Sequence, residues 1–589
     1  MMKNLVCVYM SISLLIVFAI NFNLVEAQNV INQSNFNATT NNQSNIGNSI
    51  EFIGSNNITN LAEQYNDFER FEAGPPDKII DMEALEDESV EKLKENIERF
   101  ESSVPSRNVL TFDVKNILNS NITQNATVIN LNETKKSIED ENVNTTTITE
   151  LQTPLTNQYS IKKWEGLNIE SAGTPEGRSV PPDITLAVGP NDVVQMVHSV
   201  MKIWDKNGDE KLKLFLRAFF EIPTQYGLSD PIVLYDKSNE RWFAVIMETS
   251  GHVLPNGDNV RCHFDCFLRL AVSTDNNPAN PWNIYRIPFG KNFPDYPMVG
   301  INNDKLAIGV NMFGNIVKTG SYLGTQAVII DKDDLLNNNN NPLSTYRSPL
   351  FPNYYTIVPV TSDTECLFME ANNWDLTTEE VNGVVLFEVC GNLSTNNLSL
   401  NKKEIDMQSI LLPVEAVQPN NLRSETDLAK IRSPVYFNDT IVSGVNYSCE
   451  IGGDLKSCIG LLKIEINESN STVEFLGLSP DDNHHVFYPA ISLDRNGNLV
   501  MIYGISSTET YPSLLVMILD KNLNMLNNTL LVKGNGNTNF ISDPDRNGKR
   551  FGDYFTAIND PIDESVWMSG EYGNKNIQQR WSTYIGNIS

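Results

Sequence analysis

The stretch Pro182-Asp183-Ile184-Thr185-Leu186-Ala187-Val188 sets an acidic residue ahead of a short apolar run. The same phrase returns as Ser229-Asp230-Pro231-Ile232-Val233-Leu234-Tyr235, Pro294-Asp295-Tyr296-Pro297-Met298-Val299-Gly300 and Gly552-Asp553-Tyr554-Phe555-Thr556-Ala557-Ile558. Looser copies begin at Pro352-Asn353-Tyr354-Tyr355, Arg432-Ser433-Pro434-Val435 and Phe487-Tyr488-Pro489-Ala490. Seven starts at intervals of roughly 45 to 80 residues have the period of propeller blades with loop insertions. The expectation is an all-β, seven-bladed β-propeller. A sandwich would also supply many short strands, but it would not explain a phrase recurring at blade spacing.

Strand signals around the phrase agree. Trp242 to Met247, Gly309 to Phe313 and Leu499 to Tyr503 read as second strands, and Ala327 to Asp331 and Val384 to Val389 as third strands. Polar turns separate first from second strands at Asp236 to Arg241, Asn302 to Lys305, Asp494 to Gly497 and Asp560 to Glu564. After Asp553 only three strands remain before the chain ends. Tyr159 to Trp164 is therefore expected to complete the last blade by pairing with the strand at Trp581, which would remove two open sheet edges.

The propeller is expected over residues 158–589, and what precedes it has another character. Residues 1–27 read as a signal peptide: Lys3, an apolar run from Leu5 to Ile20, and Val25-Glu26-Ala27 before Gln28. The run is short for a bilayer span of about 20 residues, so no stable membrane span is expected after cleavage. Residues 28–157 are rich in Asn and Thr and poor in core-forming side chains, as in an extended stalk. Glycan-acceptor tripeptides start at Asn32, Asn37, Asn42, Asn57, Asn121, Asn125, Asn132 and Asn144. Within the tract, Val90, Leu93, Ile97 and Phe100 at helical spacing predict an amphipathic helix near residues 78–101.

A formal charge of -30 argues against nucleic acid and anionic membranes as partners. Beyond Cys7 of the leader stand six cysteines, an even number that suits disulfides in a secreted chain. Sequence neighbours suggest Cys262 with Cys266, Cys366 with Cys390, and Cys449 with Cys458. Cys262, His263 and Cys266 are also metal-ligand types, but no second ligand pair stands at zinc spacing.

Five ordered motifs carry a resemblance. They are Pro181 to Asn191, Asp230 to Asp236 with Arg241-Trp242, Phe293 to Pro297, Tyr488-Pro489-Ala490 with Asp494 and Gly497, and Phe551 to Tyr554. Over about residues 164–587 the chain resembles a family of secreted, largely uncharacterised prokaryotic β-propeller proteins, loosely sialidase-like. That resemblance implies the fold and no established activity.

First strands of a propeller line its axis, so Asp183, Asp230, Asp295 and Asp553, with Asn353, are expected to ring it with oxygen donors suited to calcium. The alternative is that each Asp caps its own turn. Arg432 and Tyr488, where the phrase departs from its pattern, are the expected carriers of ligand specificity. The function expected is a binding or interaction module for an extracellular glycan or surface protein. The alternative is a sialidase-like glycoside hydrolase drawing its carboxylates from Asp183, Asp230, Asp295, Glu248 and Glu571. A sialidase would also need three arginines on one carboxylate, and Arg178, Arg241, Arg432 and Arg550 stand at unlike places in the repeat. His484-His485 beside Asp481-Asp482 reads as a solvent-facing loop more readily than as a metal or proton-transfer site.

Overall fold

Short β-branched and aromatic runs separated by Asp, Asn and Gly turns fold here into consecutive antiparallel strands. The computed structural model describes residues 51–56, 109–111 and 159–589, the last range with breaks at 171–179, 255–258, 317–320, 338–342, 376–379, 396, 468–470, 481–482, 539–549 and 576–579. The expected signal peptide, the expected 78–101 helix and most of the Asn/Thr-rich tract lie outside the described residues.

Seven sheets follow one another along the chain, each built from four strands in sequence order in all but the last blade. Their first strands are Thr185–Val188, Gly227–Asp236, Phe293–Ile301, Tyr354–Pro359, Arg432–Phe437, His485–Leu493 and Thr556–Asn559. Each first strand touches the next, and the seventh returns to the first, so together they line a central axis. The architecture is a seven-bladed β-propeller, as the repeat predicted.

The apolar core lies between blades. Seven hydrophobic clusters fill the seven gaps, each drawing residues from two neighbouring sheets. Trp242 and Trp282 anchor the gap between the first and second blades, and Trp567 and Trp581 the gap between the seventh and the first. Blades must come close for this packing: a Cβ on Gly309 would stand 2.1 Å from the carbonyl oxygen of Ile357 in the next blade.

Ring closure follows the sequence expectation. Ile161–Asn168 pairs antiparallel with Arg580–Ile588 as the outer strand of the seventh blade, with Ile161 opposite Ile588 and Trp164 opposite Ile585. Ser160 and Ser589 exchange backbone hydrogen bonds of 2.9 and 3.1 Å at the seam. The three cysteine pairs also form as the sequence suggested, with Cα separations of 5.3, 4.4 and 5.9 Å.

The tract ahead of the propeller contributes two strands that its composition did not announce. Glu51–Asn56 lies antiparallel on the outer edge of the second blade. Val109–Thr111 lies parallel on the outer edge of the fifth. Both convert a four-stranded blade into a five-stranded one and cover an exposed edge.

Closure makes a direct stability prediction. Deleting residues 159–168 strips the outer strand from the seventh blade and part of its packing with the first. The thermal midpoint should drop by about 2 °C or more, the shift that ~2 kcal/mol produces in a domain of this size. An unchanged midpoint would show that the seam adds nothing to the ring.

Candidate functional site

The recurring phrase encodes a backbone irregularity. In each first strand, or two to three residues ahead of it in the first and seventh blades, one residue has positive φ: Asp183 (49°), Asp230 (54°), Tyr296 (55°), Thr356 (57°), Ser433 (46°), Tyr488 (54°) and Asp553 (81°). Strand register slips at the same place in the second to sixth blades. Asp tolerates this left-handed conformation, whereas β-branched Thr is a genuine outlier there. Side-chain amides from the preceding blade hold the unusual residues in place. The Thr356 N–H donates to Asn311 Oδ1 at 2.8 Å, and the Tyr488 N–H donates to Asn446 Oδ1 at 3.0 Å. Such residues cost on the order of 1–3 kcal/mol each and persist where surroundings over-determine them, often at functional sites.

These bulges turn side chains toward the axis, where they meet two long connections. Residues 412–431 join the fourth and fifth blades and supply Glu425, Asp427 and Lys430. Residues 533–555 join the sixth and seventh and supply Arg550. At one side, His198 Nδ1 lies 3.0 Å from Asp183 Oδ2. The Tyr554 hydroxyl donates to Asp230 Oδ2 at 3.1 Å, and Ser229 Oγ to Asp230 Oδ1 at 2.5 Å. Tyr554 stacks on Tyr296 with ring centroids 4.5 Å apart.

Arg432 ties the cluster across the axis. It donates to the Tyr296 hydroxyl at 3.1 Å, to Asp427 Oδ2 at 2.6 Å and to the Asp553 carbonyl, and its guanidinium lies 4.8 Å from the Tyr488 ring centroid. Lys430 pairs with Asp427 at 2.9 Å and sits 3.8 Å from the Tyr296 ring centroid. Arg550 pairs with Asp553 and, at 3.2 Å, with Glu425. Glu571 accepts the Gly552 N–H at 2.8 Å. Gly552 itself has φ of +76°, and a Cβ there would meet the Tyr488 ring at 2.7 Å.

Crowding acids into a buried axis separates their ionisation. Burial, then the charges of Asp230 and Asp553, push Asp183 up to about 7; hydrogen bonding and charge from His198 oppose this. Burial and the same two acids push Asp295 up to about 7 against the pull of Lys430. Asp427 is buried too, but Lys430 and Arg432 outweigh burial and hold it down at about 2. Burial alone would lower His198, yet its bond to Asp183 and the charges of Asp183 and Asp230 raise it. Burial drives Glu571 well above the usual carboxylate range. One site thus holds both proton-retaining and firmly ionised carboxyls, the arrangement from which acid and base roles are assigned.

All six residues expected to bind ligand, Asp183, Asp230, Asp295, Arg432, Tyr488 and Asp553, belong to this cluster. Turn capping falls to other aspartates. Asp205, Asp236, Asp494, Asp520 and Asp560 accept backbone N–H groups in the polar turns. Asn353 is exposed and stands three residues ahead of the left-handed Thr356, so it does not join the ring. Glu248 is taken up by Arg269 and by Arg286 at 2.6 Å within the second blade. Arg241 donates to carbonyls of its own turn, and Arg178 lies outside the described residues. His485 is buried, accepts the Ser457 N–H at 3.1 Å and is pushed down to about 3 by burial, so it serves as a neutral packing group. Reading the repeat missed His198, Glu425, Asp427 and Lys430. For Asp427 and Lys430 the signal was the run Asp427-Leu428-Ala429-Lys430-Ile431-Arg432, dense in charge and without a counterpart in other blades.

Calcium is a question of geometry. Asp183 Oδ1, Asp553 Oδ1 and Glu571 Oε1 are buried without a hydrogen-bond partner, and carboxylate oxygens are the donors calcium takes. Among the described residues, however, no three of the cluster's carboxylates bring oxygens within 4.8 Å of one another. As arranged, the acids alone do not form a three-carboxylate cage for calcium.

No family model matches this chain, and no curated protein matches it. Among solved structures it is similar to an α-L-arabinanase of Penicillium chrysogenum complexed with arabinobiose, at 12% identity and a TM-score of 0.33 over 61% of this chain and 98% of that one. It is similar to an arabinanase of Bacillus subtilis at 13% identity and a TM-score of 0.26, covering 58% and 94%. A protein of unknown function from Dyadobacter fermentans gives 11%, 0.32, 62% and 96%. At such values the likenesses carry no argument about chemistry, which rests on the cluster alone.

The raised acids fix a pH dependence. A carboxyl whose folded pKa lies above its unfolded value of 3.8 stabilises the fold while protonated, and that contribution is lost as pH climbs from 3.8 toward about 7. Asp427, shifted the other way to about 2, contributes above 3.8 and loses that only in stronger acid, so the two windows do not overlap. Thermal melts of Asp295→Asn should show a smaller decline across the upper window than the parent protein. Identical slopes would mean that Asp295 is not a buried, proton-retaining acid.

Proposed function

We propose that the protein is an extracellular binding module that takes a carbohydrate at the mouth of its axial cluster. The observation carrying this reading is the assembly around Arg432. Cations, carboxyls and tyrosines from six blades and two long connections gather in this cluster. Hydroxyl-rich ligands are recognised by such mixed donors and acceptors beside aromatic faces. The rim of the cluster is partly exposed, with side-chain exposures of 18% for His198, 16% for Arg550 and 28% for Glu425. Three disulfides support an oxidising, extracellular setting. No helix among the described residues is long and apolar enough to cross a membrane.

A second reading, glycoside hydrolysis, is favoured by the acids held up to about 7. Asp183 or Asp295 would donate the proton to the leaving oxygen, and Asp230 would serve as the partner carboxylate.

A glycan array and a panel of chromogenic glycosides, run on the parent protein, Arg550→Gln and Asp230→Asn, separate the readings. Binding without turnover, weakened roughly 10- to 100-fold in Arg550→Gln through loss of a charged hydrogen bond, is the expected result. Turnover abolished in Asp230→Asn would replace the binding module with a hydrolase. Neither binding nor turnover would overturn both.

A further inference from the structure

Two of the chain's five histidines, His252 and His263, stand ring to ring with centroids 4.3 Å apart and planes inclined by 36°. Both are exposed. They sit on an excursion of the second blade, between the strands Arg241–Thr249 and Cys266–Ser273. A small hairpin, His252–Val253 against Asn259–Val260, shapes the excursion. The Ser250 N–H donates to the Arg261 carbonyl at 3.2 Å, and the His263 N–H donates to the Ser250 carbonyl at 2.9 Å. The Cys262–Cys266 disulfide closes the base. Backbone pairing and a covalent link therefore hold the two imidazoles in register before any ligand arrives.

The sequence offered Cys262, His263 and Cys266 as a metal triad, and the disulfide takes both sulfurs out of it. The hairpin supplies His252 in their place. We propose that His252 and His263 form a two-imidazole site for a borderline transition-metal dication such as Cu2+, Ni2+ or Zn2+. Neutral imidazole nitrogen suits these ions, whereas calcium and magnesium prefer oxygen. Metal–nitrogen bonds of about 2 Å place two ligating nitrogens roughly 3 Å apart, within reach of rings already in contact by small χ rotations. The remaining positions stay open to water or to a ligand.

The surroundings permit a cation. The whole chain carries a formal charge of -30. The nearby Lys291 is engaged by the His263 carbonyl at 2.8 Å and by Asp265 at 3.5 Å. The excursion joins the end of a second strand to the start of a third, so it projects from the face on which the first strands begin, the face of the axial mouth. Arg261 at its base acts on the charge of Asp295, which places the two features near each other. The metal site stands whether or not the axial cluster binds carbohydrate.

The test is titration of the full chain with Cu2+, followed by electron paramagnetic resonance and calorimetry. One equivalent should bind with hyperfine structure from two nitrogens. Because two ligands on one scaffold bind more tightly than either alone by roughly 100-fold, His252→Gln and His263→Gln should each weaken binding by about that factor. Their exposed positions should leave the thermal midpoint unchanged. Parent and variants binding Cu2+ alike, or a parent spectrum without two nitrogens, would overturn the proposal.

Discussion

A left-handed residue at the head of every blade, in its first strand or just before it, is the constraint on which this molecule depends. A regular strand would alternate its side chains between the two faces of its own sheet and leave the axis to chance. In the second to sixth blades a bulge there adds one residue and breaks the alternation. Where that residue or its neighbour is Asp, the axis gains an acid; where it is Tyr, the axis gains a ring that can stack across it, as Tyr296 does on Tyr554. The strain is countered by amides one blade away, Asn311 for Thr356 and Asn446 for Tyr488. The device that shapes the axis therefore also registers the blades against each other.

Because the apolar core is divided among seven inter-blade gaps, the axis itself need not be apolar for the ring to hold. That division lets buried charges gather at the centre. Asp183 and Asp295 respond to crowding by keeping their protons, while Asp427 remains ionised between Lys430 and Arg432. The contrast follows from who the neighbours are: the first two face other acids, and the third faces cations at 2.9 and 2.6 Å. Removing one partner of the Asp427 pairs would strand a buried charge, so this arrangement tolerates little change.

The sequence made the blades readable because each first strand combines an apolar run with a turn, and that pattern survives even where its Asp is replaced. The seam between Ile161–Asn168 and Arg580–Ile588 was readable for a related reason, since a ring with one blade a strand short must borrow it from the other end. Register inside the phrase was harder to see. Asp295 precedes the left-handed Tyr296 by one position, whereas Asp183, Asp230 and Asp553 are themselves left-handed, so an alignment on Asp conceals a one-residue offset. Asn353 failed as a ring member because the true counterpart in its blade is Thr356. Glu425, Asp427 and Lys430 were invisible to repeat reading because they lie in a connection that no other blade copies. Residues outside the repeat complete the site, and a repeat cannot announce them.

Left-handed residues at the heads of the seven first strands, five of them at register slips, bring acids together on the axis until some hold their protons near neutrality. Isotope-edited infrared difference spectroscopy on aspartate-labelled protein observes that state directly. At a pH just below the value of about 7 reached by Asp183 and Asp295, the spectrum should contain the C=O stretch of protonated carboxylic acids, and the paired substitution of Asp183→Asn and Asp295→Asn should remove it. A parent spectrum showing only carboxylate at that pH would contradict the account.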